Sequence, residues 1–439
     1  MPCAANSLVR FVVPLALVLV PRAARAEVVK LEDLETLALK QRGSLAAARA
    51  RVGEAEARID AAKVPYHPTL DAKADVSESP GGTLVNVPVD PSNPTGSKYV
   101  VSGSRTIGQP GAFEPIFRYE GGLTFLSRLY DFGRTAASVR AARADRDASV
   151  AGERSERLSV ALEVRAAYLG WLVADGTRAI LAQSARDSAT LRASVEAHIA
   201  EGARPGAELA SARFDEARAK LDLERSENDL VSARFDVEQA TGAALPASAE
   251  PDRSLFERQP APLSPATHPD VNTLERRRDA ALAAADAHGY PHAPVVAVAA
   301  NAGVHGQQSF PFPLYQVMLS VTVPVLDGGL EAASAAQAAA QAKELDAQAH
   351  ELGGRVAVQN RRARASFESA ERRVAIAEEL VAAADDSVKH AVDQHELGDG
   401  TLDAVVQARI QASRARLEVL TARVERARAV LDLEANATR

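Results

Sequence analysis

Tyr119 to Arg134 reads YEGGLTFLSRLYDFGR, and 196 residues further on Tyr315 to Leu330 reads YQVMLSVTVPVLDGGL. Tyr, Leu, Asp and Gly recur in register, and the same offset carries Gly202 onto Gly398, Leu209 onto Val405, Ala212 onto Ala408 and Arg213 onto Arg409. Self-similarity at a fixed spacing marks a duplicated structural unit. In each copy, Tyr119, Leu123, Phe125 and Leu129, or Val317, Leu319, Val321, Val323 and Val325, alternate with polar neighbours, which is the period of a strand with two unlike faces.

Upstream of these marks the offset becomes 226, relating Pro65 and Pro68 to Pro291 and Pro294 and Leu45 to Val271. The first copy therefore holds about 30 extra residues between Pro68 and Tyr119, where Ser79 to Pro115 is rich in Pro, Gly, Ser and Asn, a loop composition. Leu70, Ala72, Ala74 and Val76 alternate with Asp71, Lys73 and Asp75 as a further strand, and Val295 to Gly303 supplies the fourth. The expected strands are 69–77, 116–129, 294–304 and 315–325. An apolar face backed by a polar one suits a water-filled barrel in lipid. Four strands cannot close around a channel, and an open edge in lipid leaves backbone groups unpaired, so other copies must meet the edges.

Between the strands and the repeat ends lie the helices, expected at 134–201 and 205–242 in the first copy and at 330–396 and 402–435 in the second. From Arg134 to Glu201 no proline intervenes, and at 1.5 Å per residue such a helix extends roughly 100 Å. Phe367, Ala370, Val374, Ala377, Val381, Ala384 and Val388 alternate spacings of three and four, and Ile410, Ser413, Leu417, Leu420, Val424, Ala427 and Leu431 do the same, so the two helices are expected to pair as an antiparallel coiled coil. On the return helix of the first copy, Ala219, Leu223, Ser226, Leu230, Ala233 and Val237 form one seam while Phe214, Ala217 and Leu221 begin another. Two seams let one helix touch two neighbours. The repeats are thus 27–242 and 268–439, joined by a proline-bearing linker at 243–267.

Composition agrees with long, closely packed helices rather than a thick core: 46% of the 439 residues are apolar but only 4% are aromatic. Arg10, the apolar run Phe11 to Val20 and the Ala24-Arg25-Ala26 site read as a signal peptide cleaved after residue 26. Its removal takes away three arginines and the single cysteine, Cys3, so the mature chain is more acidic than the formal charge of −7 and has no thiol chemistry. An acidic exported chain is a poor nucleic-acid binder, and Arg276, Arg277 and Arg278 fan around a helix as a solvated face. No GxSxG, Walker loop or HExxH motif is present, so no enzyme, cofactor or metal site is expected. His288 and His292 are separated by Gly289 and Pro291, which reads as a turn, and Tyr168 and Trp171 sit among Leu162, Leu169 and Leu172 as packing residues.

A cleaved signal, a doubled helix-strand-strand-helix-helix plan, LYDFGR and VLDGGL at the entries to the long helices, and glycine-marked turns at HIAEGARPGAEL and HELGDGTLDAVV together resemble the TolC family of outer-membrane efflux proteins. The resemblance spans about Val29 to Ala435. It implies a mainly α fold with a transmembrane β-barrel portion: a homotrimer whose 12 strands form a barrel in the outer membrane, continued by an α-helical coiled-coil barrel in the periplasm. It further implies a passive exit duct working with a periplasmic adaptor and an inner-membrane pump in efflux or type I secretion. The turns near Gly202 and Gly398 become the periplasmic tips, and the family register places the aperture at Glu208 and Ser211 in the first copy and at Ala404 and Gln407 in the second. That second pair departs from the acidic pattern of the family, and Asp399 and Asp403 lie nearby either as a negative field or as helix caps. Asp131 with Gly133, and Asp327 with Gly329, mark where strand becomes helix, glycine for the backbone angles and Asp as cap. Arg42-Gly43-Ser44-Leu45 stands where the family often has Asn-Pro-x-Leu, whereas His268-Pro269-Asp270-Val271 keeps the proline. An adaptor, the other coiled-coil component of such machines, has one hairpin and no duplication.

Overall fold

The computed structural model describes residues 27–80, 84–86, 99–101, 105–106, 115–200, 206–260, 268–290, 292–307 and 310–437. The expected signal peptide lies outside them, as do parts of the Ser79 to Pro115 insertion and of the linker. In chain order the elements are β1 (Glu27–Val29), α1 (Leu31–Gln41), α2 (Gly43–Lys63), β2 (Thr69–Pro80), the short β3 (Leu84–Asn86), β4 (Tyr99–Val101) and β5 (Arg105–Thr106), then β6 (Pro115–Tyr130), α3 (Arg134–Ala200), α4 (Ala207–Thr241), β7 (Ala249–Pro251), α5 (Pro269–Ala287), β8 (Val295–Gln307), β9 (Phe310–Thr322), α6 (Leu330–Glu396) and α7 (Leu402–Ala437).

These elements form two compact units, neither of which coincides with one repeat: residues 1–42, 159–263 and 360–436 make one, and residues 43–158, 264–359 and 437–439 the other. Each long helix, α3 and α6, contributes to both.

The second of these units holds the antiparallel sheet β2-β6-β8-β9. Register fixes its faces. Leu70, Phe125, Ala300 and Val317 lie in one row across the four strands, and Asp71, Thr124, Asn301 and Gln316 in the next. Because side chains alternate along a strand, one face is apolar and the other polar. The apolar face is bare: Tyr315 is 85% exposed and Val317 78%. Among the described residues β2 and β9 are edges without a partner strand, so the chain by itself makes an open sheet.

Four of the eight strand ends lie within one residue of expectation, three run further out and one stops three residues short. β2 reaches Pro80 and β8 reaches Gln307. β9 begins at Phe310, five residues before its expected start, through Pro311 and Pro313, which are of one parity on an edge strand where a missing N–H is tolerated. It stops at Thr322 although Val323 and Val325 continue the pattern, because Pro324 interrupts the ladder. Within the insertion, β3, β4 and β5 pair as a small antiparallel sheet that the loop-like composition hid.

The other unit is a helical bundle. Ala370 and Ala377 on α6 and Ala427 and Leu431 on α7 are buried at seam positions and the remaining seam residues are half-buried, while Ala412, Ala415 and Ala422, off the expected seam of α7, are buried as well. Arg416 pairs with Asp385 at 2.8 Å and Arg423 with Glu378 at 2.7 Å; numbers rise on α7 as they fall on α6, which makes the pair antiparallel. On α4, Ser226, Ala233 and Val237 are buried, whereas Phe214 is 66% exposed and Phe235 62%. The first seam is therefore filled within the chain and the second is not. Trp171 and Tyr168 pack edge to face at 6.0 Å in the centre of the bundle's core, with Leu31, Leu34, Val164 and Val237 around them. The Tyr168 hydroxyl lies 3.0 and 3.1 Å from the Val29 and Asp252 carbonyls, which share its one donor hydrogen, tying the parallel pair β1·β7 to α3. No helix among the described residues is long and apolar enough to cross a membrane.

Candidate functional site

Strained backbone, side-chain caps and exposed apolar residues gather at the strand-to-helix junctions, on the sheet and at the turns between long helices. At the first junction β6 must turn sharply into α3. Phe132 and Gly133 take positive φ values of 55° and 91°, a region that costs an ordinary residue about 1–2 kcal/mol. Asp131 compensates by accepting hydrogen bonds from the Gly133 N–H at 3.2 Å, the Thr135 N–H at 2.8 Å and the Thr135 hydroxyl. Burial pushes the Asp131 carboxyl up, but the Thr135 and Gly133 donors and the Arg128 charge outweigh it and hold the group below the usual carboxylate range.

The second junction repeats this construction. Gly328 and Gly329 have φ values of 68° and 83°, and Asp327 accepts from the Gly329 N–H at 2.9 Å and the Glu331 N–H at 3.1 Å, which lower its pKa in that order. Arg134, the first residue of α3, forms an ion pair with Glu331 at the start of α6, and His288 Nδ1 lies 2.7 Å from the same carboxylate. The two junctions are thereby joined inside one unit. His288 is committed to Glu331 and His292 Nδ1 to the Pro324 carbonyl at 2.9 Å, so the two do not converge on a metal; no cluster suited to one occurs among the described residues.

At the turn between α6 and α7, Gly398 has φ 87°, and a Cβ on Gly400 would lie 2.9 Å from the His395 nitrogen. Both positions therefore require glycine. The Gly400 N–H donates to Gln394 O at 2.9 Å, while Thr401 Oγ1 accepts from the Ala404 N–H at 3.3 Å. Thr401 is thus the cap of α7, and Asp399 and Asp403 are not. Asp399, Asp403, Ala404 and Gln407 are exposed, whereas Leu402 and Val406 are buried with Val195 of α3 and Ala212 of α4, and Val405 is buried too. In the other turn Gly202 lies outside the described residues; Glu208 in the first turn of α4 is half-buried and Ser211 one turn later is exposed.

Asp215, one further turn along the Ser211 face, escaped the sequence reading. Burial first, then the charge of Asp403, push its carboxyl up against the pull of Arg218. The Asp403 charge acting on Asp215 puts the acidic groups of the two turns within electrostatic reach of each other. The signal was its spacing of four from Ser211.

The described residues thus combine an open amphipathic sheet, joined strand-to-helix junctions and very long paired helices. The sequence matches the outer membrane efflux protein family over residues 34–243 and 263–437, and the chain belongs to that family. Among solved structures it is similar to CusC, with 17% identity and a TM-score of 0.76 over 93% of this chain and 92% of that one. It is also similar to the Campylobacter jejuni CmeC outer membrane channel, with 15% identity and a TM-score of 0.72 over 92% and 85%. The open state of the Neisseria gonorrhoeae MtrE outer membrane channel gives 18% identity and a TM-score of 0.72 over 93% and 88%. The comparison with curated proteins finds no match.

Proposed function

We propose that three copies of this chain pool their four strands into one 12-stranded outer-membrane barrel, and that their helices form a tunnel in the periplasm. The duct conducts solutes or proteins passively as the exit of a tripartite efflux or type I secretion system, engaged by a periplasmic adaptor and driven by an inner-membrane pump. The observation that carries this reading is the pair of open edges, β2 and β9, on a sheet whose apolar face is bare. An unpaired edge in lipid costs several kcal/mol per backbone group, and closure by further copies removes the cost. Phe214, Leu221, Val231 and Phe235 on α4, and Ile376 and Leu380 on α6, supply unfilled helix faces for the same closure.

In this reading the turns at Gly202 and Gly398 are the periplasmic tips, with Glu208, Ser211, Asp399, Asp403, Ala404 and Gln407 around the aperture, and the Ser79 to Pro115 insertion faces the exterior. The junction residues Asp131, Gly133, Asp327 and Gly329 serve the fold. The deciding experiment is the native mass of the mature protein extracted in non-ionic detergent from outer membranes. Three copies are expected; a monomer with no membrane association overturns the duct.

A further inference from the structure

Tyr130 and Phe132 correspond to Leu326 and Gly328 at the offset of 196 that relates the two copies. Gly328 takes the left-handed backbone of its turn at φ 68° without strain, whereas Phe132 takes the same turn at φ 55° with a side chain that this region disfavours. The first copy therefore carries a ring where glycine would serve the turn better. Phe132 recovers little from its own chain: it is exposed, and the ring it meets edge to face at 4.7 Å is Tyr130, which is exposed as well. Strain held at an uncovered side chain points to a surface that meets something outside the chain.

A second irregularity aims Tyr130 the same way. The register of β6 on β8 slips between Arg128 and Tyr130, so that Tyr130 partners Val296, which in turn partners Val321 on β9. Without this bulge Tyr130 would fall on the polar face with Arg128 and Thr124; with it, the ring ends the apolar face. At the other end of that face stands Tyr119, whose ring crosses its register partner Gly306: a Cβ there would lie 2.1 Å from the ring Cζ. Ten residues of β8 separate Gly306 from Val296. That is about 33 Å along a strand, or about 25 Å in height at the tilt of a membrane barrel.

This height is that of the apolar band of an outer-membrane barrel, which aromatic rings border where lipid meets water. We propose that Tyr119 marks one lipid–water boundary and the pair Tyr130 and Phe132 the other, so that the lipid contact runs past the sheet onto the junction with α3. The partner is the head-group region of a bilayer, which suits rings that are apolar in body and, in tyrosine, polar at the tip. The second copy offers Leu326 and Gly328 at the same places, so the aromatic anchor belongs to the first junction alone. This inference rests on the barrel reading above and adds where the bilayer ends on the chain.

The test uses tryptophan emission from the mature protein in vesicles of dioleoylphosphatidylcholine doped with phosphatidylcholine brominated either beside the head group or near the chain ends. Trp171, the one native tryptophan, is 1% exposed in the core of the helical unit and gives an unquenched background. L123W, in the middle of the apolar face, is expected to be quenched most by bromine near the chain ends. F132W is expected to be quenched most by bromine beside the head group, and Y130W, which lies outside the strained turn, gives the same reading if F132W fails to fold. Shielding of Y130W and F132W from both lipids while L123W is quenched, or their stronger quenching by chain-end bromine, overturns the boundary and leaves the duct standing. Shielding of L123W as well overturns the membrane barrel itself.

Discussion

Gly122 on β6 and Gly303 on β8 are register partners with no room for a side chain between them: a Cβ on Gly122 would lie 2.9 Å from the Gly303 Cα, and one on Gly303 would lie 2.7 Å from the Gly122 Cα. β6 and β8 are also where the strands of the two repeats join. Glycine at such a close crossing lets the two strands approach and the sheet coil. Gly303→Ala is expected to force backbone apart at a cost of about 1–3 kcal/mol, since the obstructing atoms are main-chain atoms that cannot rotate away. The thermal transition of the assembled protein in detergent, followed by loss of the slow-migrating oligomer on unheated gels, should fall by several degrees. An unchanged transition would mean that the crossing has slack.

Tyr168 makes a separate prediction because two carbonyls share its one hydroxyl hydrogen. Tyr168→Phe keeps the ring against Trp171 but strips Val29 and Asp252 of a buried donor. The expected cost is about 1–3 kcal/mol. Hydrogen exchange should show faster exchange at β1 and β7 while α6 and α7 stay protected. Equal acceleration everywhere would place the effect in global stability instead of in this clasp.

The junction carboxylates set a pH dependence. Asp131 and Asp327 both have pKa values below the ordinary carboxylate, so the stability they contribute is fully present above the unfolded value of about 4 and is lost as pH falls through the folded values. Acidification from pH 7 to pH 5 should leave these caps intact, and acidification below about 4 should erode them. Asp131→Asn combined with Asp327→Asn should flatten that acid limb in thermal melts between pH 5 and 3. A limb of unaltered slope would assign acid sensitivity to other groups.

Much of this architecture was legible because it is written in periods. The duplicated Asp and Gly at 131, 133, 327 and 329 located both junctions, and the heptads on α6 and α7 gave the coiled coil to its partner. What periodicity could not supply was which partner would be absent. Phe214 and Leu221 looked like any second seam, and only the structure shows them exposed while Leu223 and Ser226, on the first seam, are covered. Alternation alone missed the prolines' part: the edge strand runs through Pro311 and Pro313, and it stops before Pro324 although the pattern continues to Val325. At the turn between α6 and α7, Asp399 and Asp403 are plausible caps by residue type, yet it is Thr401 whose side chain accepts from the Ala404 N–H. Choosing between adjacent cap candidates depends on the turn geometry set by Gly398 and Gly400, which composition does not encode.

The exposed seam on α4 separates assembly from folding. Leu221 is 51% exposed on the face with Phe214 and Phe235, whereas Val237 is fully buried on the other seam of the same helix. A charge at an exposed position costs the isolated chain little, but placed between two copies it must be desolvated without a partner, at several kcal/mol. Leu221→Glu is therefore expected to leave helix content nearly unchanged while lowering the native mass in detergent from that of three copies toward that of one. Val237→Glu puts the charge into the chain's own core and is expected to lower helix content and yield together. Retention of the full native mass by Leu221→Glu would show that this face meets solvent in the assembled duct, and would move the subunit contact to other faces of the bundle.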